Sequence, residues 1–309
     1  MYKFFDSVIQ SSFALPGLIE IESVTADLKV GLVDEYESRS HGSWHAVRYI
    51  PAAGLVVYFS DTPDESCNPR IRISSNEGAD FFIDGFRILC RITNSCDEGT
   101  LTRLLLQQVI PRVLSHSGKL VWHASAVELG DGRTIAFLGE SGSGKSTLAT
   151  ALQLQGGELL ADDVLSLSVR NNRAVVAAGH SGLWLRESSL QLLRLGSQEL
   201  SYFDKGINQL FFASAVSNSC CSRALDEIYI LKQATAGSCA SAEELAGIQQ
   251  LTVLMKHAMP LVPLEGLAAA KQLSEMAAIA TAIPRIKTLQ IHRKGNSLND
   301  ACSVIMAGD

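Results

Sequence analysis

One short segment has the composition and spacing of a phosphate-binding loop, because it fits the pattern G-x-x-x-x-G-K-[ST] at every fixed position. Its glycines let the backbone fold closely and direct N–H groups at phosphate oxygens. Lys145 would place a cation on the β- and γ-phosphates, and Ser146 would offer a hydroxyl to Mg²⁺ at the start of a helix. The segment and the residue after it therefore predict a site for ATP, or another nucleoside triphosphate, with Mg²⁺. The predicted nucleotide contacts are Gly139, Glu140, Ser141, Gly142, Ser143, Gly144, Lys145, Ser146 and Thr147.

Two adjacent carboxylates follow the loop at the end of an apolar run. Asp162 and Asp163 come directly after Leu159, Leu160 and Ala161. An apolar strand that ends in aspartate is suited to holding Mg²⁺ beside a bound phosphate. With two carboxylates, one can orient the metal while the other accepts a proton from an attacking hydroxyl group. The pair and the loop together predict phosphoryl transfer, and an acidic surface turn is the alternative.

Three segments between residues 119 and 169 resemble one protein family. They are HASAV, which begins at His123, IAFLGESGSGKSTLATAL and GGELLADDV. Together they look like the core of the HPr kinase/phosphorylase family, and most of all like its P-loop relatives in bacterial gene clusters for ribosomally made peptides, including lasso-peptide kinases. A weaker likeness extends to His257. The resemblance implies a serine kinase that uses ATP and Mg²⁺, with a catalytic fold similar to phosphoenolpyruvate carboxykinase.

The resemblance also implies a role for each matching residue. In the family, the first aspartate of the pair is the general base on the acceptor serine, and Asp162 matches it. The second aspartate helps to hold Mg²⁺ and corresponds to Asp163, while a later glutamate of the metal site corresponds to Glu187. A strand histidine near the general base corresponds to His123, for which a half-buried, hydrogen-bonded strand histidine is the alternative. Lys145 completes the implied catalytic set.

The stretch after the aspartates departs from the family. HPr kinases have a glycine-rich stretch there that is tied to their reverse, phosphorolytic activity, whereas this sequence has Trp184-Leu185-Arg186-Glu187. We therefore expect a substrate other than HPr. Arg186 is a candidate cation for the transferring phosphoryl group, and Lys205 is a candidate for phosphate or peptide. A surface charge is the alternative for both residues.

Three functions fit these residues. The first is a phosphotransferase, namely a kinase that transfers the γ-phosphoryl group of ATP to a serine of a peptide or small protein. The resemblance favours a serine near the C-terminus of a ribosomally made, lasso-type precursor peptide. The second is a P-loop ATPase without a phosphoryl acceptor, and the third is a nucleotide-binding regulator without catalysis. We expect the kinase, because adjacent aspartates suit a hydroxyl acceptor and no residue that positions water is clearly marked.

The elements that must position these residues indicate a mixed α/β protein. Residues 1–94 alternate short β-branched and aromatic runs with turn signals, which predicts a small β-rich N-terminal domain and a candidate surface for peptide recognition. Residues 95–118 predict a linking helix that is capped by Ser95 and Glu98 and is bent or shortened at Pro111. Residues 119–309 predict a P-loop catalytic domain like that of HPr kinase.

Within the predicted catalytic domain, strands surround the loop. KLVWHASAVEL is expected as one strand, Asp131-Gly132 as a hairpin turn and RTIAFLG as the strand before the loop. STLATALQLQ predicts the helix after the loop, and ELLAD predicts the strand that ends at the aspartates. A later helix should be capped by Ser241 and Glu244 and end near His257. Further elements are expected as a hairpin at 170–173, helices near 264–281 and 297–306 and a strand IKTLQIH.

Composition excludes several classes of protein. Of the 309 residues, 47% are hydrophobic and 19% are charged, so the chain is too apolar to be disordered. A net charge of −6 leaves no basic excess for binding nucleic acid. Seven cysteines, of which Cys220 and Cys221 are adjacent and none forms a C-x-x-C pair, predict neither zinc sites nor disulfides and favour the reducing cytoplasm. No apolar run is long enough for a transmembrane helix, so we expect no membrane partner. The family resemblance adds a homo-oligomer as an expectation.

Overall fold

A computed structural model describes most of the chain. The described residues are 1–34, 42–63, 69–180, 183–195, 202–204, 209–212, 222–234, 240–262, 265–291 and 297–308. Within them, helices pack against four β-sheets, and the predicted mixed α/β class is confirmed. None of the described helices combines the length and the apolar character that crossing a membrane requires.

Nine strands between residues 2 and 92 form one sheet. They are β1 (Tyr2–Phe4), β2 (Ser7–Ser11), β3 (Ile19–Glu20), β4 (Leu28–Leu32), β5 (Trp44–Ile50), β6 (Leu55–Pro63), β7 (Pro69–Ser75), β8 (Ala79–Asp84) and β9 (Arg87–Ile92). Their order is β3-β1-β2-β4-β9-β8-β7-β6-β5. Strand β4 runs parallel to β2 and β9, and the other neighbours are antiparallel. Strand β5 is therefore an outer strand of this sheet.

One face of the nine-stranded sheet is covered by the helix that follows it. Apolar side chains at alternate positions of β6 and β7 are buried, which is the pattern of a sheet with one face on the core. Helix 98–116 supplies the cover, with Leu104 fully buried. Val121, Val164 and the segment 259–262 pack into the same core. This core therefore joins the N-terminal sheet to the part of the chain that follows the linking helix.

The linking helix is continuous but changes its hydrogen-bond pattern in the middle. It consists of α1 (Glu98–Arg103), a π-helical segment (Leu104–Val109) and α2 (Ile110–His116). The predicted cap at Ser95 is wrong, because Asp97 is the N-cap residue. The Asp97 carboxylate accepts a hydrogen bond from Thr100 N at 2.8 Å, which satisfies one backbone donor of the first turn.

Pro111 interrupts the hydrogen bonds of this helix without ending it. The predicted shortening is wrong, since α2 continues to His116. The π-helical segment ends directly before the proline, and Ile110 N donates to Leu105 O across the wider turn. A widened turn shifts the bonding pattern by one residue, and a proline without an N–H is tolerated in the first turn of the next segment. The helix therefore has a wider, π-helical turn directly before Pro111.

The rest of the described chain forms three sheets and further helices. The elements are β10 (Val121–Trp122), β11 (Ala124–Glu128), β12 (Thr134–Leu138), α3 (Lys145–Leu154), β13 (Glu158–Ala161), β14 (Leu165–Arg170), β15 (Arg173–Ala178), β16 (Leu183–Arg186), α4 (Glu187–Leu193), β17 (Tyr202–Asp204), β18 (Gln209–Phe212), β19 (Arg223–Ala224), β20 (Glu227–Gln233), β21 (Ser241–Glu244), α5 (Ile248–His257), α6 (Gly266–Ala282), β22 (Arg285–Ile291) and α7 (Ser297–Ala307). The central sheet has the order β13-β11-β12-β20-β22-β21, and its strands β12, β20 and β22 are parallel. The smaller sheets are β10-β14-β15-β19 and β16-β18-β17.

The central sheet is covered on both faces. Helices α3 and α7 pack on one face through residues such as Leu148 and Ile305. The sheet β10-β14-β15-β19 and helix α6 pack on the other face through residues such as Leu165 and Ile279. Burial on both faces explains why β12 is apolar at nearly every position. The turn from β12 to α3 lies at the carboxyl end of the parallel strands, where open α/β sheets bind ligands.

Two local predictions are wrong in this region. Residues 119–129 do not form one strand, because β10 and β11 belong to different sheets and His123 stands at the break. Ser241 and Glu244 do not cap a helix, because they lie in β21 and pair with β22. Helix α5 begins after Gly247. In both places, pairing with distant strands overrides the local pattern.

The other expected elements are present. Asn171 and Asn172 have φ values of 50° and 60°, the backbone of a type I′ turn, and they join β14 to β15. The Asp131-Gly132 turn joins β11 to β12 as predicted. Both turns are specified by residues that tolerate positive φ, so they could be predicted without knowledge of the fold.

Candidate active site

The glycine loop joins β12 to α3. Gly139, Gly142 and Gly144 have positive φ values of 156°, 76° and 100°. At Gly139 a Cβ atom would lie 2.7 Å from Ser143 Oγ and 3.1 Å from Leu231 O, so no larger residue fits without a shift. The predicted order of strand, loop and helix is therefore present, and phosphate binding by the loop stays a prediction.

Lys145 lies inside the loop and close to both aspartates. Its Nζ donates to Gly139 O at 3.0 Å and to Glu140 O at 3.2 Å, and its side chain is buried. Burial lowers the pKa of the ammonium group, whereas the charges of Asp163 and Asp162 raise it. The cation is thus held at the loop by two carbonyl oxygens, which phosphate oxygens can replace as charge-assisted partners.

Asp162 is fully buried at the end of β13. Ser125 Oγ donates to its Oδ1 at 2.6 Å, and Trp184 N donates to its Oδ2 at 3.3 Å. Burial raises the pKa of the Asp162 carboxyl, and these donors and the hydroxyl of Ser146, at the start of α3, oppose the rise. The carboxylate is therefore hydrogen-bonded to β11 and to β16.

Asp163 projects from a strained turn. Its φ is 63°, a value that few residues other than glycine adopt. The backbone N–H of Val164 donates to Asp162 O at 2.8 Å, which closes a three-residue turn around Asp163. Gln107 Nε2 donates to Asp163 Oδ2 at 2.6 Å. Burial and the charge of Asp162 raise the pKa of the Asp163 carboxyl well above its usual value, while Lys145 and Arg103 lower it. A carboxylate with a raised pKa is a stronger proton acceptor than an ordinary aspartate.

His123 holds the backbone of this turn. Its Nδ1 lies 2.7 Å from Asp163 O, and Ala124 N donates to the same oxygen at 3.1 Å. Because a carbonyl oxygen only accepts, the proton is on Nδ1. Burial lowers the pKa of His123 to about 3, with a further contribution from the charge of Lys145, so the ring is neutral. The resemblance placed this imidazole near the general base Asp162, and its hydrogen bond goes to the backbone of Asp163.

The contacts of the two carboxylates differ. The resemblance assigned proton acceptance to Asp162 and Mg²⁺ binding to Asp163. The surroundings favour the reverse division, because the Ser146 hydroxyl, predicted to bind Mg²⁺, lowers the pKa of Asp162. Asp163 lies instead at the positive-φ turn, where Gln107 Nε2 donates to its carboxylate and orients it. The two aspartates are adjacent in sequence, so only their contacts distinguish them.

The remaining loop residues contact the surroundings of the loop. Thr147 Oγ1 and Ser189 Oγ are 2.8 Å apart, which joins α3 to α4. Glu140 forms an exposed ion pair with Lys256 of α5 at 2.7 Å, and this lysine lowers the pKa of Glu140. Ser143 Oγ is buried, and among the described residues it has no hydrogen-bond partner. The Ser143 hydroxyl is therefore free to bind an oxygen of a ligand.

The residues predicted for the site around β16 are exposed, and among the described residues they have few contacts with the rest of the site. Glu187 begins α4 and is exposed, and within the described chain no hydrogen bond or ion pair joins its side chain to the aspartates. Arg186 is also exposed, but its Nη1 lies 3.8 Å from the position of a Cβ atom on Gly142, beside the loop. Ser141 is exposed near the same point. Lys205 lies outside the described residues.

The oxygen donors beside the loop suit Mg²⁺. This ion usually takes one or two carboxylates and completes its shell with water and substrate phosphates. Ser146 offers a hydroxyl close enough to lower the pKa of Asp162, and Asp162 and Asp163 offer two carboxylates. Burial raises the pKa of both carboxyls, and a divalent cation would offset this cost. In the part of the chain that the structure describes, no group of three or more His, Cys, Asp and Glu residues could hold a metal by itself.

Three polar residues of the site were not predicted from the sequence, namely Arg103, Gln107 and Ser125. Arg103 and Gln107 belong to the linking helix. The charge of Arg103 lowers the pKa of Asp163, and Gln107 donates a hydrogen bond to the Asp163 carboxylate. Ser125 lies on β11 and reaches Asp162. All three are buried polar side chains in apolar surroundings, and such residues need a partner. A glutamine within the apolar run LLLQQVI was the available signal.

Comparison with known proteins gives little beyond this geometry. No protein-family model matches the sequence, and no curated protein matches it. Among solved structures, the chain is similar to the HPr(Ser) kinase/phosphatase from Coxiella burnetii, with a TM-score of 0.31 and 18% identity. The similar region covers 61% of this chain and 89% of that chain. The function is therefore inferred from the site.

Proposed function

We propose that this protein is a Mg²⁺-dependent kinase that transfers the γ-phosphoryl group of ATP to a hydroxyl group. One observation carries the proposal: a glycine loop with its buried lysine lies close to two adjacent aspartates, of which Asp162 is fully buried. Both aspartates are close enough to Lys145 to raise its pKa, and the Ser146 hydroxyl lowers the pKa of Asp162. Phosphoryl transfer needs few other groups, because it depends mainly on positioning and on neutralising charge.

Each residue of the site then has a separate task. The glycine loop and Lys145 bind the phosphates of ATP, and Ser146 and Asp162 are the residues that would hold Mg²⁺. When bound, Mg²⁺ neutralises charge on the transferring phosphoryl group. Asp163 accepts the proton of the acceptor hydroxyl as the new O–P bond forms and the bond from the γ-phosphorus to the bridging oxygen of ADP breaks. His123 and Gln107 hold Asp163 in place.

We further propose that the acceptor is a serine of a peptide, near the C-terminus of a ribosomally made, lasso-type precursor. The sequence resemblance supports this choice, and so does the outer strand β5. Val47 and Tyr49 on β5 are exposed, and among the described strands β5 pairs with β6 alone. An extended peptide can add to such an edge. Arg48 of the same strand donates to Pro260 O, in the segment that follows α5.

The test combines labelled ATP with candidate precursor peptides. The wild-type protein should transfer one phosphate to a peptide, and Ser→Ala in the peptide should abolish the gain in mass. Asp163→Asn should lower transfer by about 10²-fold or more while it retains nucleotide binding, because an amide cannot accept the proton. Asp162→Asn should raise the Mg²⁺ concentration needed for half-maximal activity. Asp84→Asn on the remote strand β8 is the matched control and should behave as wild type.

Two results would reject the kinase. Steady ATP hydrolysis with no phosphate on any peptide would favour the ATPase alternative. Nucleotide binding without turnover would favour a regulator. If instead Asp162→Asn and Asp163→Asn both lose nucleotide binding to the same extent, the division of roles between the aspartates is wrong.

A further inference from the structure

Two arginines lie together where the N-terminal sheet meets the rest of the chain. Arg112 of α2 is only 8% exposed, and its Nη1 donates to Gln108 O at 3.0 Å and to Gln108 Oε1 at 2.7 Å. Arg48 of β5 donates through Nη1 to Pro260 O at 2.7 Å and to Leu261 O at 3.2 Å. The partners of both guanidinium groups are therefore neutral oxygens.

Neither arginine has an acidic partner in the part of the chain that the structure describes. Within the described residues, no carboxylate lies at ion-pair distance from Arg48 or Arg112, and the buried Nε of Arg112 has no hydrogen-bond partner. Burial lowers the pKa of Arg112 to about 10, and the charge of Arg48 lowers it further. Burying a guanidinium without a counter-charge is costly, and the charge of the half-buried Arg48 adds repulsion. Such an arrangement is typical of a site for an anion that comes from outside the chain.

Arg112 of the pair lies near His123, which holds the backbone of Asp163. The charge of Arg112 acts on His123, whose Nδ1 donates to Asp163 O. The same helix also carries Gln107, which donates to the Asp163 carboxylate. One element therefore reaches the proposed proton acceptor and the arginine pair together. Neither β5 nor α2 contributes a residue to the glycine loop, so the pair lies on a part of the site other than the nucleotide loop.

We propose that Arg48 and Arg112 form a subsite for an oxyanion of the acceptor substrate, either a carboxylate or a phosphate group. The subsite rests on the proposed kinase function, because the anion belongs to the molecule whose hydroxyl faces Asp163. A planar guanidinium can bind either group through two parallel hydrogen bonds, and two of them define its position. For a peptide with a serine near its C-terminus, the terminal carboxylate is the group that fits.

Binding of small anions tests the subsite without any catalysis. Trifluoroacetate serves as the carboxylate probe and monofluorophosphate as the phosphate probe, both followed by ¹⁹F NMR relaxation. Arg48→Gln and Arg112→Gln should each weaken binding by about tenfold. Arg87→Gln removes an exposed arginine of the same sheet and should leave binding unchanged. Lys145→Ala removes the cation of the glycine loop and should also retain binding, which separates the two anion sites. If Arg112→Gln does not fold, Arg112→Lys and Arg48→Gln provide the test.

The outcomes separate the sources of the anion and the failure of each proposal. Tighter binding of trifluoroacetate identifies a carboxylate acceptor, and tighter binding of monofluorophosphate identifies a phosphorylated one. The subsite is overturned if Arg48→Gln, Arg87→Gln and the wild-type protein bind the anion probes equally well. It is also overturned if Lys145→Ala is the one variant that loses anion binding. An active kinase with no anion binding at the arginines disproves the subsite alone. Anion binding at the arginines in a protein that transfers no phosphate disproves the kinase alone.

Discussion

At the scale of single residues, His123 is neutral and supports a strained turn. Asp163 has a positive φ, and its carbonyl accepts hydrogen bonds from the His123 ring and from Ala124. Strained residues of this kind persist only where the surrounding structure fixes them, and they cluster at functional sites. Burial and the charge of Lys145 keep the ring uncharged. A neutral ring beside a lysine avoids repulsion between two cations in a buried site.

The depressed pKa of His123 makes stability depend on pH. The ring ionises near 6.5 in the unfolded chain but near pH 3 in the folded protein, so between these values the unfolded state binds the extra proton. The free energy of unfolding should therefore fall as the pH is lowered through this range. His123 alone contributes a slope of up to about 1.4 kcal/mol per pH unit. Urea unfolding at several pH values over a range of ~4 units, between pH 4 and pH 8, would measure this slope.

The matched variant is His123→Asn, which can still donate one hydrogen bond to Asp163 O. Its unfolding free energy should lose the His123 part of the slope below about pH 6. Proton NMR of the ring should show no titration of His123 in the folded protein near neutral pH. A ring signal that titrates near 6.5 would contradict the buried, neutral state.

At the scale of elements, the linking helix belongs to the site as much as to the core. Its apolar side chains such as Leu104 cover the nine-stranded sheet, while Gln107 donates to the Asp163 carboxylate. The charges of Arg103 and Arg112 act on the pKa values of Asp163 and His123, respectively. The π-helical segment lies between Arg103 and Arg112. A π turn changes the direction in which later side chains point, and such turns occur often at functional sites. The segment therefore helps to decide which side chains reach Asp163.

Gln107 provides the test of this helix. Gln107→Leu removes the donor at 2.6 Å from Asp163 Oδ2 and retains a similar volume. The base then loses its orientation, so phosphoryl transfer should fall by about 10- to 100-fold while the dissociation constant for nucleotide stays the same. His116→Gln at the exposed end of the same helix is the control and should retain activity. A fall in nucleotide affinity as large as the fall in rate would instead indicate general damage to the site.

At the scale of the whole molecule, the two parts of the chain share one core. The core of the nine-stranded sheet includes Val121, Val164, Met259, Leu261 and Val262 from beyond the linking helix. Fully burying an apolar side chain of this size contributes about 1.5–3 kcal/mol. Five such side chains are comparable with the whole stability of a domain, which is about 5–15 kcal/mol. The domain boundaries at residues 94 and 118 stay a prediction, and the shared core leads us to expect that the two parts do not fold independently.

Truncation distinguishes a shared core from independent domains. The fragment 119–309 exposes these five side chains and loses the hydrogen bond from Gln107 to Asp163. We expect the fragment to aggregate or to lack a cooperative unfolding transition, while the full chain unfolds in one transition. Calorimetry and circular dichroism of both proteins would show this. Two separate transitions in the full chain, with a stable fragment, would establish independent domains.

The sequence by itself determined the features that depend on neighbouring residues. The glycine loop, the helix after it and the turns at Asp131-Gly132 and Asn171-Asn172 follow from local rules for glycine, asparagine and apolar periodicity. The mixed α/β class follows from the change of period after residue 94. The presence of two aspartates at a strand end was also visible, since an apolar run and its terminal residues are contiguous.

Only the tertiary structure decided which residues meet. Arg48, Gln107, Arg112 and His123 lie far apart along the chain from Asp163, and no local pattern relates them. The expected strand 119–129 breaks at His123 because its two halves, β10 and β11, pair with strands of different sheets. The division of roles between Asp162 and Asp163 likewise depends on contacts with distant side chains. Propensity describes a few residues at a time, whereas burial, charge and hydrogen bonding between distant segments exist only in the folded chain.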